Sequence, residues 1–185
     1  FLSQNNAIWP HEKYLNIWLM SETKYPKFWN SITKLCVPKY RLGSETLPGL
    51  SLPPVPSTWV PKVEQIGILF RMSTFQYFQR SIDATAEREL VTCIGNYLGL
   101  LDTWKINNSN VNDQCNDTFA YGIVNNNGSL GTNSSWSKEV GSYRFLSENI
   151  MDDPTGTHRS VSKDQALRMY WVLNNCAGRS MWQSD

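Results

Sequence analysis

The chain has 185 residues, a net charge of +1 and 41% hydrophobic residues including eight tryptophans, enough apolar material for one domain spanning residues 1–185 with its own core. Lysine and arginine are scattered rather than clustered, which argues against nucleic-acid or anionic-membrane binding. No run of about 18 apolar residues is present, so no membrane-spanning helix is expected.

Leu15, Ile17 and Leu19 alternate with Asn16, Trp18 and Met20, the pattern of a strand covered on both faces. Leu47 to Pro61 is proline-rich and reads as a surface loop without regular structure. Thr92 and Asn96 stand four residues apart, and with Asp102 they form, taken alone, an ordinary polar helix face. The asparagine-rich stretch from Ile106 to Ser137 reads as an exposed, elaborated loop. Ser162 followed by Gln165 is a capping box, which satisfies two backbone N–H groups at a helix start. Leu167, Tyr170, Trp171 and Asn174 follow at helical spacing, and Gly178 is a stop signal. The tryptophans read as core residues, and His11 and His158 as surface residues. No internal repeat is present.

The segment from Thr92 to Trp104, T-C-I-G-N-Y-L-G-L-L-D-T-W, resembles the zinc-binding helix of the pappalysin-type metzincin metallopeptidases, H-E-x-G-H-W/Y-L-G-L-x-H-T-F/W. Gly95, Tyr97, Leu98, Gly99, Leu100, Thr103 and Trp104 match that pattern. Three further segments resemble the family in the same order. Trp9 to Trp18 is similar to its W-x-x-x-K-Y-L-N-I-W-V strand, and Ile66 to Arg71 to the strand before the active-site helix. Asp113 to Thr118 is similar to its D-x-V-x-D-T-P segment, with Phe119 in place of proline. Glu148 to Asp153 looks like its N-Y-M-D-Y segment, which makes Met151 the methionine of the Met-turn, and Ser160 to Met169 fits the start of its last helix. The resemblance implies an α/β fold in which a twisted sheet overlies the active-site-type helix, followed by a Met-turn and a C-terminal helix. It also implies that the N-terminal part of the family domain is missing ahead of Phe1, so a partner chain or the missing segment is expected against the sheet.

The chemical residues of the motif differ. Two imidazoles one helical turn apart and a third after the glycine turn bind zinc, which lowers the pKa of its water from about 15.7 to about 7 while a glutamate takes the proton. Thr92, Asn96 and Asp102 stand at the three histidine positions and Cys93 at the glutamate position. A hydroxyl and an amide are poor zinc ligands, so Asp102 is the one good donor left of the three. The chain has two histidines, so three cannot be gathered elsewhere. Asp153 stands where the family places a tyrosine that often assists at the reacting carbonyl. The resemblance therefore implies a catalytically inactive homologue without zinc, extracellular or at the cell surface, acting as a binding or structural subunit. A peptide along the old cleft, held by pairing with an edge strand, is compatible with loss of the metal.

Asp113 and Asp117 are a candidate calcium pair, since some family members bind calcium in this loop; the alternative is a solvated turn. Four cysteines allow three pairings, and the resemblance implies one bridge using Cys115. Cys93 reads as a small buried thiol rather than a nucleophile, with no histidine near it in sequence. Sequons at Asn107, Asn116, Asn127 and Asn133 fit a secreted chain. Two other functions remain: a working hydrolase with a non-standard metal site drawing on Asp102 and Cys93, and a purely architectural surface or adhesion component whose cleft is filled by its own side chains.

Overall fold

The computed structural model describes residues 8–10, 13–20, 35–37, 67–72, 84–106, 113–123, 125–126, 129–130, 137–140, 143–153 and 157–175. The proline-rich stretch, His11, Ile66, Gly178 and the sequons at Asn107, Asn127 and Asn133 lie outside them.

Three strands form one sheet in the order β1-β3-β2, with β1 (Ile17–Met20), β2 (Leu35–Val37) and β3 (Gly67–Arg71). β1 pairs parallel to β3, placing Ile17 opposite Ile68, and β2 pairs antiparallel to it, placing Cys36 opposite Ile68. Gly67 lets β1 come close: a Cβ there would lie 2.5 Å from the Asn16 carbonyl oxygen and 2.6 Å from the Trp18 ring. Asn16 is buried, and its side chain exchanges two 2.9 Å hydrogen bonds with the backbone of Trp9, tying the entering chain to the strand.

Helix α1 (Ala84–Tyr97) packs against β2 and β3. Ile68, Cys93 and Tyr97 are buried together, with Leu15, Leu90, Ile94 and Leu98 packed around them. Burying a large side chain of this kind contributes about 1.5–3 kcal/mol. The both-faces-covered reading of the first strand does not hold. Ile17 and Leu19 each keep 41% of their surface exposed, because β1 is an outer strand of this sheet and α1 packs on β3 and β2.

The end of α1 is a Schellman turn. Gly99 has φ +88°, its N–H donates to Asn96 O at 3.0 Å, and the Leu100 N–H reaches back to Gly95 O at 3.0 Å. Gly99 is also a point of close approach, since a Cβ there would sit 2.7 Å from Val172 Cγ2. That contact brings in the second helix, α2 (Lys163–Asn175).

Between the helices, β4 (Trp104–Ile106) pairs parallel to β5 (Tyr121–Ile123). Two hairpin-like antiparallel pairs follow: β6 (Asn125–Asn126) with β7 (Ser129–Leu130), and β8 (Ser137–Val140) with β9 (Tyr143–Leu146). The stretch read as an exposed loop therefore contains core residues: Asp113, Cys115 and Tyr121 are all buried.

The capping box at α2 forms as the sequence suggests. The Ser162 N–H donates to Gln165 Oε1 at 3.0 Å, and the Gln165 N–H donates to Ser162 Oγ at 3.2 Å. The buried stripe of α2 differs from the apolar one. Gln165, Arg168, Trp171 and Val172 face inward, while Leu167 and Tyr170 are exposed. The polar members are buried because each has a dedicated partner. Gln165 exchanges two side-chain bonds with Asn149, at 2.7 and 3.1 Å. Arg168 donates to the carbonyls of Asp113 and Gln114 at 2.8 and 3.0 Å, although its Nε is buried without a partner.

Candidate functional site

One face of α1 carries Thr92 and Asn96, two of the four positions singled out by sequence, and the turn that bears Met151 lies directly beneath them. Gly95 makes this possible: a Cβ there would meet Met151 Sδ at 2.6 Å. Met151 is fully buried, and the Asn96 side-chain amide points its Nδ2 at that sulfur from 3.9 Å. The same Nδ2 donates to Asp102 Oδ1 at 3.3 Å, so the second and third candidate positions meet across the glycine turn. Asp102 is solvent-exposed, whereas Asn96 is buried.

Thr92, one turn earlier, is buried and engaged on two sides. Its hydroxyl donates to the Ile150 carbonyl at 2.9 Å, and its Oγ1 lies 3.3 Å from His158 Nδ1. The other ring nitrogen, Nε2, faces the Asp153 carbonyl at 2.9 Å and must carry a proton to bond there. His158 is therefore a buried residue, not the surface residue its sequence context suggested. It adopts φ 52°, a left-handed turn that swings the imidazole inward onto Thr92. Cys93, about 100° round the helix from Thr92, packs into the cluster with Ile68 and Tyr97 and is fully buried.

The turn that bears Met151 is held from below. The Thr103 backbone N–H donates to Met151 O at 3.1 Å, and its hydroxyl donates to Asp152 Oδ1 at 2.9 Å. Asn149 Oδ1 accepts from the Met151 N–H at 2.9 Å, and Asp152 Oδ2 from the Asn149 N–H at 3.1 Å.

Asp153 anchors a buried charge cluster that sequence reading missed. Lys138 Nζ, itself fully buried, pairs with Asp153 Oδ2 at 2.6 Å, and the Tyr121 hydroxyl donates to the same oxygen at 2.7 Å. The Asp153 N–H in turn donates to the Tyr121 oxygen at 3.1 Å. Burial, reinforced by the charges of Asp152 and Asp153, pushes the Tyr121 phenol far above its ordinary value. A phenol thus stands against Asp153, the position where the resemblance leads one to expect a tyrosine, but it comes from β5. Nothing in the spacing of Tyr121, Lys138 and Asp153 announces that they meet.

The two candidate calcium ligands have separate local duties. Asp113 accepts from the Thr118 hydroxyl at 2.5 Å and from the Cys115 N–H at 3.3 Å. Its burial raises the carboxyl pKa, against the opposing pull of Thr118, Cys115 and Arg168. Asp117 caps α2, accepting from Ser162 Oγ at 2.6 Å and the Asp164 N–H at 2.9 Å. Its slight burial works to raise the pKa, but these hydrogen bonds outweigh it and hold the carboxyl below its ordinary range. Among the described residues, no three or more His, Cys, Asp or Glu side chains are gathered as a metal ion would need. Cys115 is buried and unbridged, not half of the expected bridge, and burial pushes its thiol pKa up to about 12.

The structure thus brings Thr92, Asn96, Asp102 and Met151 to one locality, adds His158 to it, and sends Cys93 elsewhere. In comparisons with known proteins, no family model, no curated protein and no solved structure matches the chain. Among the described residues, no helix is long and apolar enough to cross a membrane.

Proposed function

We propose that this chain is a catalytically inactive homologue of the pappalysin-type metzincin peptidases, serving as an extracellular or cell-surface binding or structural subunit of a larger assembly. The observation that carries the reading is the chemistry at the four motif positions. Where a peptidase needs three metal ligands and a base, Thr92 is committed to Ile150 O and His158, Asn96 to Asp102 and Met151, and Cys93 to the core. Gly95 over Met151 and the glycine turn at Gly99 support the family assignment, because both are scaffold features of the resemblance and both are explained by close packing. The exposed sequon at Asn116 is compatible with a secretory route.

Within this reading the architectural role is favoured over a peptide cleft. Thr92, Cys93 and Asn96 are buried, and His158 fills the space beside Thr92, so the protein's own side chains occupy the locality. A hydrolase built on Asp102 and Cys93 is disfavoured because one is exposed to solvent and the other packs among Ile68 and Tyr97.

The direct test is a peptide-library hydrolysis assay on the purified protein, with and without added zinc. Background rates in both conditions are expected. Cleavage that requires zinc and disappears in Cys93→Ser would replace this reading with the enzyme.

A further inference from the structure

A cavity of about 180 Å³ lies between the loop before β5, the end of β9, the Met-turn and the start of α2. It is distinct from the motif face of α1. Its polar lining includes Asp117, Asp152 and Ser147, and its apolar wall is Phe119, Phe145 and Leu146. We propose that this cavity receives the guanidinium group of an arginine side chain presented by a partner polypeptide. The inference goes beyond the peptidase-homologue reading and does not depend on it.

Charge is the first argument. Asp117 and Asp152 both line the cavity, and among the described residues no Lys, Arg or His lines it and neither carboxylate has an ion-pair partner. Asp152 accepts one bond on each oxygen, from Thr103 and the Asn149 N–H, and each oxygen has a second acceptor site. Asp117 accepts from Ser162 and from the N–H groups of Asp164, Lys163 and its own residue. Acceptor capacity for a donor-only group therefore remains on Asp152, and Asp117 adds its negative charge at the open side. The Asp152 side of the cavity is almost fully buried, where a pair with a cation is less screened than at the open surface.

Shape selects among cations. The Phe119 and Phe145 rings lie 4.6 Å apart between centroids and are tilted by 40°, and Phe119 keeps 51% of its surface exposed. Leu146 is 66% exposed beside them. A planar, weakly hydrated guanidinium stacks on such a face while its fork of N–H groups reaches carboxylates, which a compact, strongly hydrated ammonium does less well. The volume is below the roughly 300 Å³ at which ligand pockets usually begin, so it suits a side-chain head rather than a whole small molecule. The exposed Phe119 and Leu146 then supply apolar contact for the residues flanking the arginine.

The test is a heteronuclear NMR titration of the intact chain with N-acetyl-arginine amide, with the uncharged isostere N-acetyl-citrulline amide, and with a short arginine-centred peptide carrying apolar neighbours. Saturable shifts at Phe119, Leu146, Ser147 and Asn149 are expected with both arginine probes. Binding should be roughly tenfold weaker or more with citrulline, as loss of a charge-assisted pair implies. Tighter binding of the peptide than of the single residue identifies a polypeptide source, and equal binding by both overturns that part in favour of a free guanidinium compound. Asp117→Asn keeps a capping-competent side chain at the start of α2 and should weaken arginine binding, as should the exposed Phe119→Ala. Equal affinity for citrulline, absence of saturable shifts at these residues, or displacement of arginine by calcium at the same resonances would overturn the proposal.

Discussion

At the scale of single residues, the most demanding contact is between Lys138 and Asp153, two fully desolvated charges 2.6 Å apart with Tyr121 bonded to the same oxygen. Such a pair stabilises little relative to apolar replacements, yet removing one partner leaves the other charge stranded. Lys138→Met should therefore cost about 3–5 kcal/mol in chemical denaturation. Adding Asp153→Asn to it should recover a large part of that loss, and a double variant no better than the single one would contradict the pair as described. The carboxylates on either side of Cys115 act oppositely with pH. Asp117 is held below 3.8, so its contribution is present above that value and is lost as pH falls through the lowered one. Asp113 is raised above 3.8, so it favours the fold when protonated, and that contribution is lost as pH rises through the raised value. Denaturation midpoints across an acid series should show a shallower acid decline in Asp117→Asn. Asp113→Asn should remove the loss that accompanies rising pH above 3.8.

At the scale of elements, the two helices are joined by a single glycine and by the turn that bears Met151. Gly99 must adopt φ +88° and must lack a Cβ, because Val172 Cγ2 would lie 2.7 Å from one. Gly99→Ala therefore combines a backbone strain of about 1–2 kcal/mol with a clash against α2. Its thermal midpoint should fall by several degrees, as a loss of more than about 1 kcal/mol in a domain of this size implies. An unchanged midpoint would remove the turn from its place in the fold. At its other end, α2 is fixed through Ser162, Gln165 and Asn149, which link the capping box to the carbonyls and amides of the Met-turn. A cap of this kind contributes about 1 kcal/mol, and here it also orients the segment that carries Met151 beneath Asn96.

At the scale of the whole molecule, some of the structure was legible in the sequence and some was not, for identifiable reasons. The α2 capping box and the Gly99 turn were legible because both depend on residues three to five apart. The buried stripe of α2 was not, because Gln165 and Arg168 are polar and are buried only through Asn149 and the 113–114 carbonyls, each distant in sequence. His158 was read as a surface residue because no periodicity governs a loop, and only its left-handed backbone turns the ring onto Thr92. The Tyr121–Lys138–Asp153 cluster joins three elements with no shared motif, so only the fold assembles it. The candidate site follows the same division. The positions on α1 could be named only through the family resemblance, while what faces them could not be named at all.

Under the proposed function, the motif positions hold structural contacts within a subunit of an assembly where a peptidase would hold a metal. The most direct measurement is zinc content by elemental mass spectrometry on the natively purified protein, with co-purifying chains identified in the same sample. The expected result is no stoichiometric zinc and a stable partner chain. Stoichiometric zinc bound to the chain would contradict the account, because Thr92, Cys93, Asn96 and Asp102 would then have to serve a metal that their contacts do not provide for.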